Sequence, residues 1–76
     1  MDKFNAATND QALENRYTYH PPKGDQAKRY EDVRAWCLGL ARFLVITVPA
    51  SPELYRALDA LDEVMMLANA AIARNE

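Results

Sequence analysis

Arg16, Tyr17, Tyr19, His20, Pro21, Pro22 and Lys23 crowd one short stretch of the chain, and Asn69, Arg74 and Asn75 form a second polar group near residue 76. Tyrosine faces can stack on nucleobases, worth ~1–3 kcal/mol per base in single-strand binders. A guanidinium binds phosphate bidentately or stacks on a purine. Asparagine amides read base edges. The start of a helix, with free N–H groups and a positive dipole end, also favours phosphate. Together these groups offer the chemistry of holding a small anionic nucleotide. A plainer alternative stays open on composition alone: the tyrosines pack an interface, the cations are solvated, and Asn69 is a polar residue inside a helix.

Bond-breaking chemistry has little to build on. His20 is the only histidine and Cys37 the only cysteine. His20 has no evident nucleophile beside it, and Cys37 falls on an apolar stripe, where a thiol is inert. Asp59, Asp62 and Glu63 sit together in the manner of a solvated helix face. Gly24 and Gly39 are isolated, so there is no glycine-rich phosphate loop. We expect no catalytic residue, no metal and no cofactor.

These polar groups must be positioned by helices. Pro21-Pro22 biases the preceding backbone toward extended conformations, and Tyr17-Thr18-Tyr19 reads as an extended segment with both tyrosines on one side. Lys23-Gly24-Asp25 then starts a first long helix, about Gln26 to Val48, with Asp25 as its N-cap. Its Tyr30, Val33, Cys37, Leu40, Leu44 and Val48 recur at spacings of three and four. Trp36 and Phe43 form a second stripe. Asp25/Arg29 and Lys28/Asp32 are weakly stabilising pairs at i, i+4. Pro49 ends this helix. Ser51 caps the next, with Pro52 at its first position, where the missing N–H is harmless.

The second long helix is expected from Pro52 to about Arg74. Leu54, Leu58, Leu61, Met65, Ala68 and Ile72 form a heptad-type seam, and Ala57, Ala60, Val64, Leu67 and Ala71 form an adjacent stripe. A turn this short makes the two helices antiparallel neighbours. Register then places Arg42 near Asp59 or Asp62, and the Tyr30 end near Ile72 to Asn75. The expected fold is all-α: an antiparallel two-helix hairpin over residues 16–76, preceded at residues 1–15 by an arm or a short helix capped by Asn9 or Asp10.

Composition adds the assembly. A chain of 76 residues is marginal alone and needs disulfides, a metal or oligomerisation. A single cysteine excludes an internal disulfide. Half of the residues are hydrophobic, and one partner helix covers only one of two apolar stripes. We therefore expect a homo-oligomer. The net charge of -2 argues against binding DNA or RNA polymers, which calls for a strongly basic face. Yet Arg16, Lys23, Lys28, Arg29, Arg34 and Arg74 fall at one end of the hairpin, which suits a small anion. The polar N-terminus has no signal-peptide character. Phe43 to Val48 is far shorter than the ~20 apolar residues of a membrane span. These features fit a soluble, cytosolic protein.

The same segments resemble a known family. Tyr19-His20-Pro21-Pro22, Asp25-Gln26, Arg29-Tyr30-Glu31, Arg34, Pro49, Ser51, Glu53 and above all the run Ala68 to Glu76 are similar to the phage anti-CBASS cyclic-nucleotide sponges. The hairpin domain of that family also occurs in Thoeris anti-defence sponges. The resemblance covers residues 16 to 76. It implies small helical hairpins assembled as hexamers, which bind cyclic dinucleotides, and in some cases cyclic trinucleotides, at protomer interfaces. It implies sequestration without cleavage, in the cytoplasm of an infected bacterial host, so that CBASS effectors stay inactive.

Carried onto matching positions, the resemblance implies that Tyr19, His20 and the Pro21-Pro22-Lys23 loop contact base and phosphate in an interface pocket, with Arg34 adding charge. Asn69, Arg74 and Asn75 would line a second pocket near a threefold axis. The family often has Trp just before the Ala-Asn-Ala-Ala run, where this chain has Leu67. Two other readings compete: an oligomeric adaptor whose exposed apolar stripe docks a host protein, and a sponge for a cyclised ADP-ribose signal.

Overall fold

The computed structural model describes residues 9–76; the part of the expected arm at residues 1–8 lies outside the described residues. Three helices follow in order: α1 (Asp10–Tyr17), α2 (Gln26–Thr47) and α3 (Pro52–Asn75). Among the described residues there is no strand. Helices α2 and α3 pack on each other as the antiparallel hairpin. No described helix is long and apolar enough to cross a membrane.

Local chemistry sets each boundary. Asn9 is extended and its side chain accepts the Ala12 N–H at 2.8 Å, which starts α1. The helix runs on to Tyr17 and closes at Thr18, whose N–H donates to the Glu14 carbonyl at 2.9 Å. Tyr17 is therefore helical, which corrects the extended Tyr17-Thr18-Tyr19 segment; only from Thr18 is the backbone extended. The cap at Asn9 outweighs the weak alternation of the sequence. Ser51 accepts the Leu54 N–H at 3.1 Å, and Pro52 follows it at the start of α3. Helix α2 ends before Val48, which is extended ahead of Pro49.

The start of α2 differs from expectation. Asp25 occupies the N-cap position, but its side chain caps nothing and makes only the expected pair with Arg29, at 3.2 Å. The turn is closed by Gln26, whose backbone N–H donates to the Lys23 carbonyl at 3.1 Å. Its Oε1 accepts the Lys23 N–H, also at 3.1 Å. Gly24 supports this turn with φ 58°, a left-handed conformation that costs glycine little.

The seam of α3 is as its heptad spacing predicts. Leu54 is buried, and Leu58, Leu61, Met65, Ala68 and Ile72 are half-buried. Along the apolar stripe of α2 the half-buried residues are Tyr30, Val33, Cys37, Ala41 and Leu44. Leu40 and Val48, expected on that stripe, are exposed. A straight helix drifts by ~20° per heptad against a 3.5-residue repeat, so the contact line passes to Ala41. Arg42 makes no ion pair with Asp59 or Asp62; the ion pairs among the described residues are Lys28–Asp32, Arg29–Asp25 and Arg29–Glu76.

One chain has almost no interior. Leu54, 7 % exposed, is the one buried apolar residue among those described. The radius of gyration is 16.1 Å, against roughly 11 Å for a globule of this length. Trp36 is 81 % exposed, and Phe43, Val64 and Leu67 are exposed with it.

Candidate functional site

The sequence-distant polar groups meet at the end of the hairpin where α2 begins and α3 ends. Three chain segments build one open hollow of about 440 Å³ there. The stretch after α1 contributes Thr18, Tyr19, His20 and Pro22, and α1 itself contributes Arg16. Helix α2 contributes Tyr30 and Arg34, one turn apart. Helix α3 contributes Asn69, Ala70, Ala73 and Arg74. The small alanines leave the space that larger side chains would fill.

The hollow is electropositive on a protein of net charge -2. Arg16, Arg34 and Arg74 line it and no carboxylate does. Arg34 makes no ion pair with any described residue. Tyr19 is 79 % exposed, so its ring offers a free face. The Tyr30 hydroxyl and the Asn69 Oδ1 are shielded from solvent and have no hydrogen-bond partner among the described residues. Shielded polar atoms are nearly always paired, so these two are exceptions within the single chain.

Hydrogen bonds fix the walls. A side chain from the end of each of α1 and α3 donates to a late carbonyl of the other. The Asn15 side-chain amide donates to the Arg74 carbonyl at 3.2 Å. Arg74 Nη2 donates to the Arg16 carbonyl at 3.3 Å. His20 Nε2 donates to the Asn15 carbonyl at 2.8 Å; a carbonyl only accepts, so the proton sits on Nε2. Cations at two helix C-termini also meet the negative dipole ends. His20 is thus held as a donor to α1, and its ring is a structural wall.

Behind the hollow, Glu76 is clasped from two sides. Arg29 donates to its carboxylate through Nη1 at 2.9 Å and through Nη2, and Gln26 Nε2 donates at 3.2 Å. The Arg29 hydrogen bonds, and then that of Gln26, hold the Glu76 carboxyl below its usual range. The same pairing with Glu76 raises the Arg29 guanidinium.

Of the residues singled out from sequence, Tyr19, His20, Pro22, Arg34, Asn69 and Arg74 line this one hollow. Within a single chain the two expected groups are continuous. Pro21, Lys23 and Asn75 do not line it. Asn75 donates its side-chain amide back to the Ala71 carbonyl at 2.9 Å. Lys23 contributes its backbone N–H to Gln26. Sequence reasoning missed Thr18 and assigned Tyr30 to the apolar stripe. The Tyr30–Arg34 spacing of one helical turn was the available signal. Among the described residues no group of His, Cys, Asp and Glu could hold a metal ion.

The Acb2/Tad1 hairpin domain matches residues 9–73 of the chain. No curated protein and no solved structure matches it.

Proposed function

Because the chain belongs to the Acb2/Tad1 hairpin family, we propose that it is a sponge: a homo-oligomer that sequesters cyclic oligonucleotide second messengers without cleaving them. The observation that carries this reading is the hollow itself. It gathers three arginines, a free tyrosine face and two unpartnered polar atoms, and no acid lines it. Arginine forks meet phosphate oxygens. Tyr19 stacks on a base. Tyr30 and Asn69 receive polar base or ribose groups. Binding of this kind needs no catalytic group.

The ligands we assign are cyclic dinucleotides such as cyclic GMP–AMP, with cyclic trinucleotides as a second class. The assembly we assign is a hexamer, which covers Trp36, Phe43 and the second stripe of α3. A hollow open to solvent in one protomer is then completed by a neighbour. In the cytoplasm of an infected bacterium, such a phage protein lowers the free messenger below what CBASS effectors need.

Calorimetric titration of the purified oligomer with cyclic GMP–AMP, with a cyclic trinucleotide alongside, tests the reading. Saturable binding at about half a ligand per protomer supports pockets shared between two chains. Recovery of intact ligand after denaturation separates a sponge from an enzyme. No heat from a folded oligomer with either ligand overturns the assignment. It would favour a cyclised ADP-ribose signal or an adaptor that docks a host protein.

A further inference from the structure

The hollow depends on where the end of α3 lies, yet little apolar packing holds that end. Leu54, the buried apolar residue, sits at the opposite end of the hairpin. The half-buried residues at that end of α3 are three alanines, Asn69 and Ile72. The hydrogen bonds that join α2 to α3 among the described residues all converge on Glu76, from Gln26 and Arg29. Gln26 is 4 % exposed, the one buried polar residue among those described. Both ends of its amide are used: Oε1 takes the Lys23 N–H of the loop, and Nε2 reaches Glu76. Gln26 therefore links the loop that carries Pro22 to the end of the helix that carries Arg74.

We infer that Gln26, Arg29 and Glu76 are positioning residues for the hollow: they hold the α3 terminus, and with it Arg74 and Asn69, at the distance from Arg34 that ligand binding requires. None of the three lines the hollow, so they act through the residues that do. A buried amide with both ends paired is costly to disrupt, because loss of one partner leaves the other group unsatisfied. A carboxylate that receives three donors fixes its own backbone. The affinity part of this inference rests on the sponge reading; the positioning part stands without ligand.

Two readouts on the full chain test it. The first is amide hydrogen exchange without ligand, comparing wild type with Glu76→Ala and Gln26→Ala. The expected result is loss of protection over residues 68–75, with protection around Leu54 to Leu61 and the oligomeric state unchanged. The second is titration with cyclic GMP–AMP, where each variant should bind about fivefold more weakly, the scale of one lost hydrogen-bond partner. Glu76→Gln, which keeps a side-chain oxygen to accept from Gln26 and Arg29, should retain more protection and affinity than Glu76→Ala, which a role of α3 length alone would not predict. Wild-type protection and affinity in both alanine variants would overturn the inference, and so would a Glu76→Gln variant indistinguishable from Glu76→Ala. If wild type binds no cyclic GMP–AMP, the proposed function fails, while the exchange pattern still decides whether the clasp positions α3.

Discussion

Two concave surfaces of the hairpin have comparable size and opposite chemistry. At its open end lies the polar hollow of about 440 Å³, edged by arginines and tyrosines. On its flank lies a groove of about 580 Å³, lined by Trp36, Leu40, Phe43, Leu61 and Val64 and by no charged residue. Volume alone would favour the flank as the ligand site. Chemistry reverses that choice. An anionic ligand in the groove would lose its hydration and gain no hydrogen bond, a large penalty for a charge. A neighbouring protein surface in the groove would lose only water from carbon. On the proposed assembly, the same contrast explains how a chain with one buried apolar side chain among its described residues persists: copies complete its core, and the polar end is left for the ligand.

The comparison breaks most directly at the charged wall. Arg34→Glu should weaken cyclic GMP–AMP binding by about a hundredfold, because it removes a guanidinium and adds like-charge repulsion. The oligomer should survive, as light scattering will show. If the variant binds normally, Arg34 is not part of the site. The flank gives the mirror experiment. Trp36→Glu places a charge in the expected seam and should dissociate the oligomer, since aromatic anchors at interface centres contribute at least ~2 kcal/mol each. Trp36 is also the only tryptophan, so its emission reports burial directly. Blue-shifted emission in the wild-type oligomer, red-shifting on dissociation, is the expected signature. Solvent-like emission at all concentrations would leave the groove free for a host protein.

The sequence spoke unevenly about these two surfaces. Spacing alone revealed the hairpin, because a Pro49-to-Pro52 turn between two long apolar-periodic stretches leaves the helices no other arrangement. The α3 seam followed too, since its leucines fall on an unbroken heptad pattern. Less was legible at the open end. Tyr30 reads as apolar by spacing, yet its hydroxyl is a feature of the hollow. Asp25 reads both as a cap and as a partner of Arg29, and only the pair forms, because the turn geometry lets Gln26 do the closing. The meeting of Asn15 with Arg74 was invisible, since it depends on how α1 folds back rather than on any periodicity. Long-range polar contacts leave no periodic trace in a single sequence.

Two smaller changes sharpen the polar side. Tyr19→Ala should cost ~1–3 kcal/mol of binding, the range for one base on one ring, without changing the melting temperature, because the ring is mostly exposed. Calorimetry and thermal denaturation on the same sample check both halves. Tyr30→Phe should be neutral or slightly stabilising without ligand, since it removes a shielded hydroxyl that has no partner. It should weaken binding by about fivefold if that hydroxyl meets the ligand. A variant that loses stability and keeps its affinity would show that the hydroxyl serves the protein interface instead.

The smallest expected effect concerns pH. The Glu76 carboxyl is held below its ordinary value of 4.5, first by the hydrogen bonds from Arg29 and then by that from Gln26. A group whose folded value is depressed contributes stability that is fully present above the unfolded value and is lost as pH falls through the folded one. Protection of residues 68–75 should therefore hold from neutral pH down to about 4.5 and decline below it. Arg29 stays charged throughout, because its own shift is upward. In Glu76→Gln the amide keeps a partner for Gln26 but cannot titrate, so protection of that stretch should start lower and lose this pH dependence. Exchange measured across that range in both proteins decides the matter. An identical decline in the two would assign the acid sensitivity to a group other than Glu76.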